Sequence, residues 1–179
     1  MKKIILLLIS ILIFTGCENM SNTPTAKVEN FMEKYQTMDS SVLSQLDSIV
    51  ENRKDLTDEQ KSKYKSLMEK QYQNLSYTIK DETSDKNNAN VVVEVETYDY
   101  RNALNKSEVY FENNQDEFKK EDGSINLEKY MDYKIEEMIK VDDRITSEIV
   151  FVLHKKNNKW ILDDISDIDR QKIHGLYRG

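Results

Sequence analysis

The sequence predicts an α+β domain in which N-terminal helices pack on an antiparallel sheet, and three observations carry that reading. Between Pro24 and Tyr72 the apolar residues recur at three- and four-residue spacing, the period of one helix face. At Leu75 the period drops to two, and β-branched residues then crowd into the runs 90–98 and 145–154. Each run has a neighbour across a short polar turn, as an antiparallel hairpin requires.

Thr23 followed by Pro24 reads as an N-cap with proline at the first helical position, where its missing N–H costs nothing. Val28, Phe31, Met32 and Tyr35 then line one face of a helix over 24–37. Asp39-Ser40 caps a second helix with the stripe Val42, Leu43, Leu46, Ile49 and Val50, ending in the polar stretch 51–55. Thr57 to Gln60 has the spacing of a capping box, and Tyr64, Leu67, Met68 and Tyr72 supply the buried face of the third helix.

Leu75, Tyr77 and Ile79 alternate with polar residues, so strands are expected over 75–83 and 90–98, joined at Asp85-Lys86-Asn87-Asn88. From Asp99 to Lys119 the apolar residues are sparse (Leu104, Val109, Tyr110, Phe111, Phe118), which predicts a helix facing solvent over much of its circumference. Glu121-Asp122-Gly123-Ser124 breaks it, and Leu127, Tyr130, Met131, Ile135 and Met138 restart a stripe ending near Val141. The unbroken run Ile149-Val150-Phe151-Val152-Leu153 predicts a strand covered on both faces. Lys155 to Lys159 forms a charged hairpin tip, and Trp160-Ile161-Leu162 returns along the sheet, with Phe151 and Trp160 expected in the core. The tail from Asp163 carries only isolated Ile165, Ile168, Ile173 and Leu176, enough for a short helix or an edge segment.

The N-terminus is of another kind. Lys2-Lys3 is a basic head, Ile4 to Phe14 is apolar except for Ser10, and small residues precede the single cysteine, Cys17, which reads as a secretory signal. The apolar run is too short for a retained transmembrane helix. Phe14-Thr15-Gly16-Cys17 resembles the lipobox of bacterial lipoproteins, with Phe14 where leucine is usual. That resemblance implies acylation of the Cys17 thiol and cleavage before it. The expected organisation is a signal peptide (1–16), a lipid-anchored linker (17–23) and one domain (24–179), at the outer face of the cell membrane. A freely secreted protein with an incidental cysteine is the alternative.

Removing 16 of 179 residues leaves 163, enough for one domain with its own core. The removed segment holds two of the 26 basic residues and none of the 33 acidic ones, so the net charge moves from −7 to −9. This balance argues against nucleic acid and against an electrostatic hold on anionic lipid, both of which need clustered Lys and Arg. With Cys17 acylated, no thiol remains for a disulfide, a nucleophile or a zinc site.

The order of helices, hairpin, helical segment and final hairpin is similar to that of small extracytoplasmic lipoproteins of Firmicutes in the nuclear transport factor two-like group. The residues that carry the similarity are Pro24, Leu75-Ser76-Tyr77, Val91 to Glu96 and Lys159-Trp160-Ile161-Leu162. The resemblance implies a cystatin-like cone, a curved antiparallel sheet wrapped around helices, sometimes with an open cavity.

Chemistry-bearing constellations are scarce. There is no Gly-x-Ser-x-Gly, and Gly123, Gly175 and Gly179 are too scattered to cradle a phosphate. Glu121-Asp122-Gly123 lacks carboxylates at the ligand positions of a calcium loop and reads as a turn, while Asp163, Asp164, Asp167 and Asp169 read as a solvated face, with loose binding of a hard cation as the alternative. No cofactor is expected. His154 is either a strand-end residue or, with Glu148, the base of a cavity hydrolase or isomerase of the resembled superfamily. Tyr98 and Tyr100 are candidates for a pocket mouth beside ordinary rim packing, and His174 is expected to be exposed. The reading is a membrane-tethered binding or protein-interaction module, held through lipid on Cys17, whose partner is an envelope protein or a small ligand. The bulky Tyr, Phe and Met stripes favour a filled core and a protein partner.

Overall fold

The computed structural model describes residues 22–177, so the signal segment and Cys17 lie outside the described residues. Three helices come first: α1 (Pro24–Gln36), α2 (Ser40–Glu51) and α3 (Asp58–Asn74). Each begins on the residue its sequence marks. Thr23 Oγ1 accepts from the Ala26 amide, Asp39 from Ser41, and Thr57 and Gln60 exchange both bonds of a capping box. The sheet follows as β1 (Ser76–Ser84), β2 (Asn88–Tyr98), β3 (Arg144–Lys156) and β4 (Lys159–Leu162), all antiparallel and in the order β1-β2-β3-β4.

Between β2 and β3 lies a helical excursion, α4 (Tyr100–Asn113), a 3-10 turn (Gln115–Phe118) and α5 (Leu127–Ile139). The expected single helix over 99–119 is therefore two pieces. Asn114 breaks it, and the 3-10 turn swings Phe118 under Phe111, Tyr130 and Tyr133, ring centroids 5.3–5.6 Å away. This satellite aromatic cluster stabilises the excursion, since such edge-on pairs add to ordinary burial. Leu127, expected in the stripe, is 67 % exposed because it opens α5 beyond the reach of that cluster.

The helices cover one face of the sheet. Val91, Val93 and Val95 of β2 and Ile149, Phe151 and Leu153 of β3 are fully buried beneath Val28, Met32, Tyr72 and Ile173. The run 149–153 is not covered on both faces as expected: Val150 and Val152 are each 47 % exposed. Every described helix supports the core on the odd-numbered side, so among the described residues none of the helices covers the other side. All the buried apolar residues of the core fall between Val28 and Ile173, so the described segment carries its own core.

The tail is more ordered than its pattern. α6 (Asp167–Ile173), capped by Ser166, ends at Gly175 with φ +68°. An added Cβ at Gly175 would stand 2.1 Å from the Tyr98 carbonyl oxygen, and the Gly175 carbonyl accepts from the Arg101 amide at 2.9 Å. Close backbone approach therefore requires glycine here, and it locks the tail onto the junction of β2 and α4.

Candidate functional site

The open side of the sheet is built by residues of even number on β2 and β3. Val92 pairs across the strands with Val150, Glu94 with Glu148, and Glu96 with Thr146. Val152 follows along β3, and Ile161 of β4, 38 % exposed, faces His154. The result is an apolar row, Val92, Val150, Val152 and Ile161, beside carboxylates at Glu94, Glu96 and Glu148. Glu94 is held by Lys80 at 3.4 Å and Glu96 lies 3.7 Å from Arg144, so this edge is ordered and carries both signs of charge. Sequence reading missed the row because apolar residues occupy both parities of 149–153, which erases the alternation that marks an exposed face.

His154 stands on the same open side. Its Nδ1 is 2.5 Å from Asp163 Oδ1, with both side chains more than two-fifths exposed. Glu148, the expected acid partner, is six residues back along β3, roughly 20 Å at 3.4 Å per residue. The pairing that forms instead arises because the chain leaving β4 continues antiparallel alongside β3: Leu162 pairs with Leu153, and the Asp163 amide bonds the Val152 carbonyl, which brings Asp163 beside His154.

Tyr98 and Tyr100 lie at the far end. Tyr98 pairs with Arg144 while Asn88 pairs with His154, so ten residues, roughly 33 Å, separate Tyr98 from His154 along the ladder. Tyr100 is fully buried, donates to the Leu67 carbonyl at 3.3 Å and stacks on Tyr98 at 5.9 Å. Lys70 and Arg144 each approach the Tyr98 ring to 4.7 Å, making it a cation–π hub between α3, β2 and β3. The adjoining groove, about 270 Å³, is lined by Asp99, Asn102, Lys106, Glu137 and Lys140 among others. Charged and polar side chains dominate its lining, with Ala103 and Val141 as its apolar members.

A tighter recess of about 130 Å³ lies among Leu56, Tyr64, Leu104, Met131 and Ile135, with Arg53 and Lys134. Burial pulls the Lys134 ammonium below its ordinary range. Its volume is well under the roughly 300 Å³ at which ligand sites usually begin.

His174 corrects the expectation of exposure. It is partly buried at the end of α6, with Nε2 3.0 Å from the Tyr72 hydroxyl, and burial together with the Arg170 charge pushes its pKa down to about 4. Of the acids after β4, Asp163 is taken by His154 and Asp169 by Ser166 and Lys172. Among the described residues no three metal-ligating side chains converge.

No family model, curated protein or solved structure matches this sequence.

Proposed function

We propose that this chain is a membrane-tethered extracytoplasmic interaction module, anchored through Cys17, which engages an envelope protein through the open side of its sheet. The observation that carries the reading is the apolar row Val92, Val150, Val152 and Ile161 on the uncovered side of the sheet. Apolar side chains grouped on one face of so charged a chain favour a contact surface. Glu94 and Glu96 alongside are matched by Lys80 and Arg144, so the partner's complement is an apolar centre with a polar flank of mixed charge.

Two experiments test the two halves. Full-length protein partitions into the detergent phase, and Cys17→Ala leaves an unprocessed precursor; a variant cleaved and secreted normally refutes the tether. A photo-reactive residue at Val152 forms a discrete adduct in intact cells, lost when Val150→Glu is added, whereas one at Lys106 does not. The same adducts from both positions, or none from Val152, refute the contact surface.

The rival is a cavity hydrolase or isomerase of the nuclear transport factor two-like superfamily using His154. The pair that observation favours for it is His154–Asp163, not His154–Glu148, and it stands on the open side of the sheet. A stable His154→Ala protein that has lost a measurable turnover rescues the rival; unchanged partner binding favours the interaction module.

A further inference from the structure

The contacts of Asn22, five residues after Cys17, bear on which end of the domain faces the proposed anchor. The Asn22 side chain donates to the Asn158 carbonyl at 3.0 Å and accepts from the Trp160 amide at 3.0 Å, pinning the entry point to the β3–β4 hairpin. Thr25, in the first turn of α1, donates through its amide and hydroxyl to Glu82 near the end of β1. The Lys155 amide bonds the Asn87 carbonyl at 2.7 Å, so the β1–β2 turn lies beside the hairpin. Cys17 is five residues from Asn22, a span of at most about 17 Å when fully extended. Given the tether proposed above, this end cannot stand farther than that from the lipid.

The same end gathers Lys86 from one turn and Lys155, Lys156 and Lys159 from the other, all exposed. The acids nearby keep their charge but turn to donors of the domain and form no ion pair with these lysines. Asp85 accepts from the Asn87 and Asn88 amides, Glu82 from Thr25, and Asp163 faces His154. No ion pair within the described residues engages Lys86, Lys156 or Lys159, and Lys155 lies over the Trp160 ring at 5.2 Å. Asn157 and Asn158, with φ of 51° and 61°, make a tight two-residue turn that presents the flanking lysines outward together.

We infer that this hairpin end is a docking surface for anionic phospholipid headgroups, which orients the tethered domain on the membrane. The inference rests on the proposed tether and adds the partner chemistry of a second surface. Each lysine brought near an anionic leaflet favours the docked state about fivefold, an effect confined to roughly a Debye length and weakened by salt. The short linker supplies the proximity, so a processed chain of net charge −9 docks through this lysine-rich end without general attraction to the membrane.

The test uses the chain from residue 17, coupled through its only thiol to a maleimide lipid, in vesicles of phosphatidylcholine alone or mixed equally with phosphatidylglycerol. Energy transfer from the only tryptophan, Trp160, to dansyl headgroups reports the height of the hairpin. Transfer is higher on the anionic vesicles, falls with added salt, and returns to the zwitterionic level in Lys155→Gln/Lys156→Gln/Lys159→Gln. The control Lys106→Gln/Lys119→Gln/Lys120→Gln, with the same change in charge, keeps the parent's response. Equal transfer on both compositions, an unaffected hairpin variant, or an equal loss in the control overturns the inference. Chemical coupling makes this outcome independent of natural acylation, whose failure would appear in the detergent partition of the full-length protein.

Discussion

His174 makes the stability of this domain acid-sensitive at a pH where most carboxylates are still ionised. Its ring meets the Tyr72 hydroxyl at 3.0 Å, and burial, with the nearby Arg170 charge, lowers its pKa from 6.5 to about 4. The folded state therefore binds fewer protons than the unfolded chain between those values. The stability contributed by the neutral ring is fully present above pH 6.5 and is lost as pH falls through about 4. Linkage between the two values amounts to up to about 2 kcal/mol lost between pH 7.5 and 5, less to the extent that water reaches the ring. The perturbation is His174→Gln, which keeps a polar group near Tyr72 but does not titrate. Urea unfolding followed by Trp160 fluorescence at pH 7.5 and 5.0 reads the effect as a change in extrapolated free energy. The parent loses that amount over the interval and the variant loses little of it. Parallel losses in the two proteins would refute the assignment of the acid sensitivity to His174.

Two further substitutions probe the packing. Phe151, fully buried and edge-on to Phe31 at 5.5 Å, costs about 3 to 5 kcal/mol when cut to alanine, seen as a collapse of the thermal midpoint; a silent variant would make the helices alone the core. Gly175→Ala costs at least about 2 kcal/mol, because it combines a left-handed backbone with a Cβ driven into the Tyr98 carbonyl, whereas Gly123→Ala, with open space around it, costs only the backbone strain. Equal midpoints for the two glycine variants would refute the close approach.

Much of the helical part was legible because its signals are local. The caps at Thr23, Asp39 and Thr57 and the stripes behind them need only neighbours within four residues to act. The hairpins were legible for the same reason, since Asp85 to Asn88 and Asn157-Asn158 close turns between strands adjacent in sequence. The excursion was less so: Phe118 is drawn into its cluster by Tyr130 and Tyr133, more than ten residues on, and no periodicity records that pull. His174 was misjudged because its burial depends on Tyr72, 102 residues away.

The sequence by itself determined that helices precede a four-strand antiparallel sheet, where each of the first three helices begins, and that Phe151 and Trp160 belong to the core, because propensity, capping and period act over a few residues. Tertiary structure decided which side of the sheet stays open. It also set His154 against Asp163, and placed Tyr98 at the other end of the ladder. Net charge pointed away from anionic surfaces, but a sum carries no positions: only the fold brings Lys86 beside Lys155, Lys156 and Lys159, and sets all four where the chain enters at Asn22.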